Sequence, residues 1–177
     1  MAYPRALEIV DNLILKSNST ISLRNAHKED LCKVHLLNQS ALPHVNSILI
    51  EDLEYFLKVA IYFKVFKDLS GFLIALGPGL DYQSENYQWF SNKFDDFYYI
   101  DRIVIAEDFR GKGKGSKLYK DLFNTARDKT VRLTCEVNAD PPNPLSLAFH
   151  ANLGFTSIGK QNTEGGSKKV NLLSFEL

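Results

Sequence analysis

The order of strand-like and helix-like segments predicts one α/β domain, with a mixed and mostly antiparallel sheet of about seven strands flanked by about four helices. Three observations support this class. The 177 residues suit one domain better than two, 45% of them are apolar, which is enough for a sizeable core, and no internal repeat or low-complexity linker interrupts them. We therefore expect residues 1–177 to form a single unit, with 1–19 as an extension packed on or near the body.

Hydrophobic periodicity and turn residues place the individual elements. Alternation and β-branched or aromatic residues predict strands at 21–24, 60–67, 72–76, 98–106, 131–137, 155–160 and 170–176. Helical spacing predicts helices at about 25–39, 51–59, 113–129 and 144–153. Residues 6–15 could form a short amphipathic helix or a strand, and the aromatic stretch 80–97 is predicted to be a long loop.

The charge balance bears on the class of partner. Lys plus Arg and Asp plus Glu both number 21, whereas proteins that bind nucleic acid usually carry a basic surplus. No apolar run approaches membrane-spanning length, and Met1–Arg5 does not begin a secretory leader. We therefore expect a soluble cytoplasmic protein without a nucleic-acid or membrane partner, and a homodimer is compatible with the sequence.

Neither the cysteines nor three of the histidines suggest a metal centre. Cys32 and Cys135 stand alone in apolar surroundings, which is typical of reduced core thiols. His27, His35 and His44 lack ligand spacing with acidic partners. The sequence therefore predicts no metal.

The most informative stretch is Arg110–Ser116, where three glycines alternate with basic residues between a predicted strand and a predicted helix. Glycine lets the backbone approach a ligand closely, and a helix N-terminus offers free N–H groups with partial positive charge. The three basic side chains add further positive charge. Such a junction suits a phosphate or a pyrophosphate.

Two other anion-binding loops fit this stretch less well. A P-loop beginning at Gly111 would need glycine where Ser116 stands. A dinucleotide-binding loop would need a small residue that Ser116 replaces imperfectly, although Glu136 near the end of the next strand could contact a ribose. The loop also lies deep in the chain, and no second βαβ half follows. A dinucleotide-binding oxidoreductase stays a weaker alternative.

The pattern Arg110-x-x-Gly113-x-Gly115 resembles the pyrophosphate loop of the GNAT N-acetyltransferase superfamily, which is Gln/Arg-x-x-Gly-x-Gly/Ala. The preceding Asp101–Phe109 resembles the central strand of that family. The segment Asn143–Phe155 resembles its second signature, in which Asn is followed seven residues later by a catalytic Tyr and then by Gly-Phe. The likeness covers about 20–177, with motifs confined to 98–155. A narrower likeness is to a bacterial branch of predicted acetyltransferases that carries Pro-Pro-Asn-Pro and a Phe-His pair.

This resemblance implies a GNAT-like fold in which two central strands splay apart to admit acetyl-CoA, the co-substrate of a direct acetyl transfer to a primary amine. A non-catalytic acyl-CoA sensor would keep the same loop and is a second alternative. The residues then expected to contact the cofactor are Ile103, Val104, Ile105, Arg110, Gly111, Lys112, Gly113, Lys114, Gly115, Ser116, Asn138, Asn143, Ser146 and Phe149.

Three residues are candidates for proton transfer. His150 stands where the family has its catalytic Tyr, and an imidazole with an ordinary pKa of about 6.5 can protonate a thiolate near neutral pH. It could equally be a structural helix residue. Asp101 is the candidate base, since alternation would put it on the face of Ile103 and Ile105, or else a charge paired with Arg102. Glu136 is the alternative base.

The acceptor amine is expected to meet the aromatic stretch. Aromatic rings together with carboxylates suit a cationic amine, and the candidates for its contacts are Tyr82, Trp89 and Tyr99. Most aromatic residues of this stretch could instead pack on the sheet. A small-molecule amine is favoured slightly over a peptide amine, because the neutral net charge suggests no acidic macromolecular partner.

Overall fold

A computed structural model describes residues 22–177 of the chain, so the predicted element at 6–15 and the extension 1–19 lie outside the described residues. The seven strands are β1 Leu23–Asn25, β2 Tyr62–Phe66, β3 Gly71–Leu76, β4 Tyr98–Ile105, β5 Arg132–Asp140, β6 Thr156–Thr163 and β7 Lys168–Glu176. The five α-helices are α1 Leu31–Gln39, α2 Ile50–Val59, α3 Glu85–Lys93, α4 Lys114–Ala126 and α5 Pro144–Asn152.

The strands form one sheet in the order β1-β2-β3-β4-β5-β7-β6. Every neighbouring pair is antiparallel except β4 and β5, which run parallel. The predicted mixed, mostly antiparallel sheet of seven strands is therefore confirmed. Within residues 22–177 no helix is long and apolar enough to cross a membrane.

The prediction of a loop at 80–97 is wrong, because α3 lies within it. Ser84 caps this helix, and its side chain accepts a hydrogen bond from the Tyr87 amide at 3.3 Å. Tyr87 and Phe90, three residues apart, are both fully buried. The many aromatic residues, which favour strands, obscured this helical spacing.

Helices cover both faces of the sheet. On one face, α1, α2 and α3 pack on the sheet through residues such as Leu31, Phe56 and Phe90. On the other face, α4 packs through Leu118 and Leu122 beside Phe149 of α5. The sheet is thus buried on both faces between two cores.

A β-bulge in β4 changes which face its side chains occupy. Ile74 of β3 lies opposite Arg102 and Ala75 lies opposite Ile100, so Asp101 is an extra residue in β4. As a result Ile103 and Ile105 pack in the core under α4 and α5, whereas Asp101 bonds to Tyr82 on the opposite side. The prediction that Asp101 shares a face with Ile103 and Ile105 is wrong, because the bulge interrupts the alternation.

The parallel pairing of β4 with β5 is very short. Only Tyr98 with Leu133 and Tyr99 with Thr134 are paired, although β4 continues to Ile105 and β5 continues to Asp140. Each strand remains paired to its other neighbour, β3 or β7. The two strands therefore separate after Tyr99 and leave a wedge in the middle of the sheet.

A buried ion pair joins the β2–β3 turn to the start of α4. The Lys114 side chain is 7% exposed, and its Nζ lies 2.8 Å from Asp68 Oδ2 and donates to Ser70 Oγ. The same ammonium lies 4.5 Å from the ring centre of Phe66 and 4.3 Å from that of Phe109. Although burial alone would raise the pKa of Asp68, the hydrogen bonds from Lys114 and Ser70 hold it below its ordinary value.

The substitution Asp68→Asn is expected to lower the free energy of unfolding by about 2 kcal/mol, because it leaves the Lys114 ammonium buried without its carboxylate. Denaturant unfolding at neutral pH measures this loss. The control is Asp128→Asn, at an exposed residue whose φ of +64° Asn tolerates well. Equal stability of the two variants would show that the ion pair contributes nothing.

Candidate active site

The wedge between β4 and β5 opens into a cleft with a volume of about 1390 Å³. The cleft brings together the glycine loop, the ends of β4 and β5, the first two turns of α5, and the segment 81–86 before and within α3. All the site residues predicted from the sequence line it except Lys112 and Trp89. The predicted residues therefore converge on one place in the fold.

The glycine loop ends at the N-terminus of α4. Gly111 and Gly113 have φ of +70° and +75°, a left-handed conformation that other residues rarely adopt. The backbone N–H of Lys117 donates to the Gly113 carbonyl at 3.0 Å, the first hydrogen bond of the helix. The backbone N–H groups before Lys117 have no acceptor inside the helix. Arg110 Nε donates to Ile105 O at 3.1 Å and ties the loop to the end of β4. These free N–H groups fit a pyrophosphate.

One prediction about charge in the loop needs correction, and one of its glycines has an additional packing role. The Lys114 ammonium turns beneath the loop to Asp68, so it does not add free positive charge as predicted, and only its amide remains available. The third glycine, Gly115, serves close packing, because a Cβ there would lie 3.1 Å from Phe149 Cζ of α5.

His150 is buried against α4 and uses both ring nitrogens. Its Nδ1 lies 2.7 Å from Ser146 O, and its Nε2 lies 2.6 Å from the Tyr119 hydroxyl. A carbonyl oxygen only accepts, so Nδ1 carries the hydrogen, and Nε2 of the neutral ring accepts from Tyr119. Burial lowers the pKa of His150, which favours this neutral form. The geometry matches the structural role that the sequence left open.

Glu136 lies beside the wedge, on the face of the sheet that α1–α3 cover, whereas His150 lies on the face that α4 and α5 cover. Tyr99 donates to Glu136 Oε1 at 3.1 Å, while Oε2 is buried without a hydrogen-bond partner among the described residues. Burial, with the nearby charge of Asp101, raises the pKa of the Glu136 carboxyl from 4.5 to about 7. A carboxylate of this kind can accept and release a proton near neutral pH.

Asp101 is held at both oxygens. Tyr82 donates to Oδ1 and Arg102 Nε donates to Oδ2, both at 2.6 Å. Arg102 in turn donates from NH1 to Asn38 Oδ1 at 3.0 Å, which ties α1 to the centre of the sheet. Asp101 is therefore the partner of Arg102, the second of the two roles that the sequence allowed.

The helix cap and the aromatic candidates are also defined. Asn143 caps α5 as predicted, since its Oδ1 accepts from the Ser146 amide at 3.1 Å. Tyr82 and Tyr99 line the cleft beside Asp101 and Glu136. Trp89 instead packs on the sheet, 3.1 Å from the position of a Cβ on Gly159.

Sequence reasoning missed Tyr119 as a residue of the cleft. Tyr119 belongs to the buried face of α4, where an aromatic residue is expected to serve only packing. Its hydroxyl meets His150 across 31 residues of sequence, so no local spacing indicates the pair.

The Tyr119–His150 hydrogen bond predicts non-additive stability. Tyr119→Phe leaves His150 Nε2 without its donor, and His150→Phe leaves the Tyr119 hydroxyl with only the weakly bonding Cys135 thiol, so each is expected to lower the free energy of unfolding by about 1–3 kcal/mol. The double variant should lose clearly less than the sum, because no unpaired group remains. Denaturant unfolding of all four proteins measures this, and strictly additive losses would contradict the bond.

Comparison with known proteins agrees with this architecture. A model of the acetyltransferase (GNAT) family matches residues 61–155, which is more than half of the chain. No curated protein sequence matches.

Three solved structures illustrate the likeness in fold. A ribosomal-protein-alanine N-acetyltransferase from Brucella melitensis is 19% identical with a TM-score of 0.67, over 88% of this chain and 99% of that one. NAA60 from Arabidopsis thaliana, in complex with a bisubstrate analogue, is 15% identical with a TM-score of 0.70, over 88% and 97%. The protein yncA from Salmonella typhimurium, with its cofactor acetyl-CoA, is 15% identical with a TM-score of 0.65, over 88% and 93%. From its matched sequence and its sheet, the chain belongs to the GNAT acetyltransferase family.

Proposed function

We propose that this protein transfers the acetyl group of acetyl-CoA directly to a primary amine of a small molecule, with Glu136 as the general base. The observation that carries this proposal is the half-buried Glu136 carboxyl group, with an enclosed Oε2 and a pKa of about 7, beside the wedge and in the same cleft as the glycine loop. A general base works best when its pKa is close to the working pH.

The residues of the cleft fit acetyl-CoA, which supplies an activated thioester when it is bound. The free amides from Gly111 to Ser116 would hold the pyrophosphate at the N-terminus of α4. Beyond Tyr99, the edge of β4 that faces β5 has no strand partner there, so its backbone groups at Ile103 and Ile105 can bond to an extended ligand. Asn138, Asn143 and Ser146 line the same side of the cleft and would contact it there.

Glu136 is a better candidate base than Asp101. An aliphatic amine enters largely protonated at neutral pH and must lose a proton before it can attack. Glu136 Oε2 has no partner among the residues described and can accept that proton, whereas both oxygens of Asp101 are occupied. Burial raises the pKa of Cys135, which keeps it a thiol and favours direct transfer over an acyl-cysteine.

His150 could protonate the departing thiolate only if its ring were protonated at both nitrogens. In the neutral ring its Nε2 has no hydrogen to give, because it accepts from Tyr119. Donation from this position would need a protonated ring, which burial disfavours. The contacts therefore support a positioning role for His150, behind the Tyr119 hydroxyl.

The substitution Glu136→Gln is expected to lower kcat by about 100-fold or more, because it removes the base. In the wild-type protein kcat/KM should rise with pH through about 7, as Glu136 loses its proton, and the variant should lose this limb. Thiol release across an amine panel measures both. The affinity for acetyl-CoA, measured by titration calorimetry, should stay within about twofold. A variant with an unchanged pH profile would remove Glu136 from the mechanism.

The stability of the Glu136→Gln variant should depend on pH differently from that of the wild-type protein. Because the folded pKa of Glu136 lies above 4.5, ionising it destabilises the fold progressively as pH rises from 4.5 to about 7. The Gln side chain does not ionise. The difference in Tm between variant and wild type should therefore shift in favour of the variant across this window.

Acetyl-CoA and CoA are expected to bind in titration calorimetry, and NADH is not. Gly113→Ala should weaken acetyl-CoA binding by about tenfold, because a φ of +75° costs alanine roughly 1–2 kcal/mol and the loop would shift. The matched control is Gly79→Ala, which has a φ of +80° and lies outside the cleft lining. NADH binding without CoA binding would favour an oxidoreductase, and acetyl-CoA binding without turnover of any amine would favour a sensor.

A further inference from the structure

We propose that the acceptor is a short aliphatic amine that carries a second positive charge, bound with one amino group at Glu136 and the other at the carboxylates of Asp81 and Glu85. This rests on the proposed acetyl transfer and names the class of acceptor. Three features of the cleft carry it: its unpaired charges, its aromatic wall and a polar bridge across it.

Most basic side chains of the cleft are already paired with carboxylates. The end of the cleft away from the glycine loop, where the acceptor amine would bind, therefore keeps unpaired negative charges. Of the basic side chains that line the cleft, Arg102 is paired with Asp101, Lys168 with Glu164 and Lys114 with Asp68. Arg110 belongs to the glycine loop at the other end. The cleft-lining carboxylates that no basic side chain of residues 22–177 pairs with are Asp52, Asp81, Glu85 and Glu136.

Asp81 and Glu85 are exposed and line the same cleft as the candidate base. Asp81 adjoins Tyr82, whose hydroxyl bonds to Asp101 at 2.6 Å. Glu85 adjoins Asn86, whose amide helps to lower the pKa of Glu136 against the effect of burial. Existing hydrogen bonds to the carboxylates come from neutral donors, the Gln83 amide to Asp81 at 2.6 Å and the Glu164 backbone to Glu85 at 2.9 Å. Neutral donors leave the negative charges in place to attract a cation.

Three aromatic rings form a wall of the cleft. Phe56 and Tyr82 pack edge to face at 5.5 Å between ring centres, and Tyr55 packs beside Phe56 at 6.0 Å. All three line the cleft. Such a wall suits the methylene groups of an aliphatic chain and the edge of an ammonium group.

A polar bridge crosses the cleft and limits the size of the acceptor. Lys168 Nζ donates to Asn46 Oδ1 at 2.8 Å and to Glu164 Oε1 at 2.9 Å, joining the α1–α2 loop to the β6–β7 hairpin. The carbonyl of Asn46 is itself held by Asn38 Nδ2 at 3.0 Å and by Arg102 at 3.3 Å. By tying these two loops together, the bridge favours a small acceptor over a folded protein segment.

The test compares three acceptors of similar length and different ends: 1,5-diaminopentane, pentylamine and 6-aminohexanoate. Thiol release should give the diamine a kcat/KM about tenfold above that of pentylamine, mainly through KM, with 6-aminohexanoate lowest. The preference should shrink as salt is raised, because exposed charges are screened. The double variant Asp81→Asn/Glu85→Gln should bring kcat/KM for the diamine down to about the wild-type pentylamine value, whereas the remote control Asp128→Asn keeps the preference.

The outcomes separate this inference from the function on which it rests. Acetylation of diamine and pentylamine with equal kcat/KM, or a higher kcat/KM for a short peptide N-terminus, would overturn the inference and leave the acetyltransferase standing. Binding of acetyl-CoA without acetylation of any of these amines would overturn both. A diamine preference that survives the double variant would show that other groups recognise the second charge, contrary to the assignment of Asp81 and Glu85.

Discussion

The separation of β4 from β5 is the constraint on which the rest of the site depends. A parallel pair that stops after two residues leaves backbone N–H and C=O groups on two facing edges, and such groups need partners. The sheet tolerates the gap because each half is held by long antiparallel pairings, β3 with β4 and β5 with β7. The gap is thus a stable feature of the sheet, and an extended ligand can supply what a strand would supply.

The gap also connects two chemically different environments. On the α1–α3 face, Glu136 and Tyr99 form a polar pair whose carboxyl group titrates near neutral pH. On the α4–α5 face, Tyr119 and His150 form a buried pair held in one arrangement by the carbonyl of Ser146. In the proposed reaction, proton transfer from the amine and packing around the thioester would therefore be supplied by separate sets of residues.

Local rules predicted much of this fold and part of its site. The hairpins, the glycine junction and the Asn143 cap are each defined by a few consecutive residues, so the sequence was sufficient for them. The bulge at Asp101, the inward turn of Lys114 and the contact of Tyr119 with His150 depend on residues 25 or more positions away. The loop prediction at α3 is wrong for a different reason, because its aromatic residues have a strand preference that tertiary packing overrides.

The bulge in β4 has a consequence for how this segment can change during evolution. Tyr99 and Val104 are both buried in the core beneath α1–α3, five positions apart, which an unbroken strand would not allow. Removing the extra residue at Asp101 would leave them four positions apart, on the same face of a regular strand, so both would stay in their core. Loss of this one residue is therefore compatible with both cores, whereas a one-residue deletion in β4 outside the span from Tyr99 to Val104 would exchange the faces of the residues beyond it.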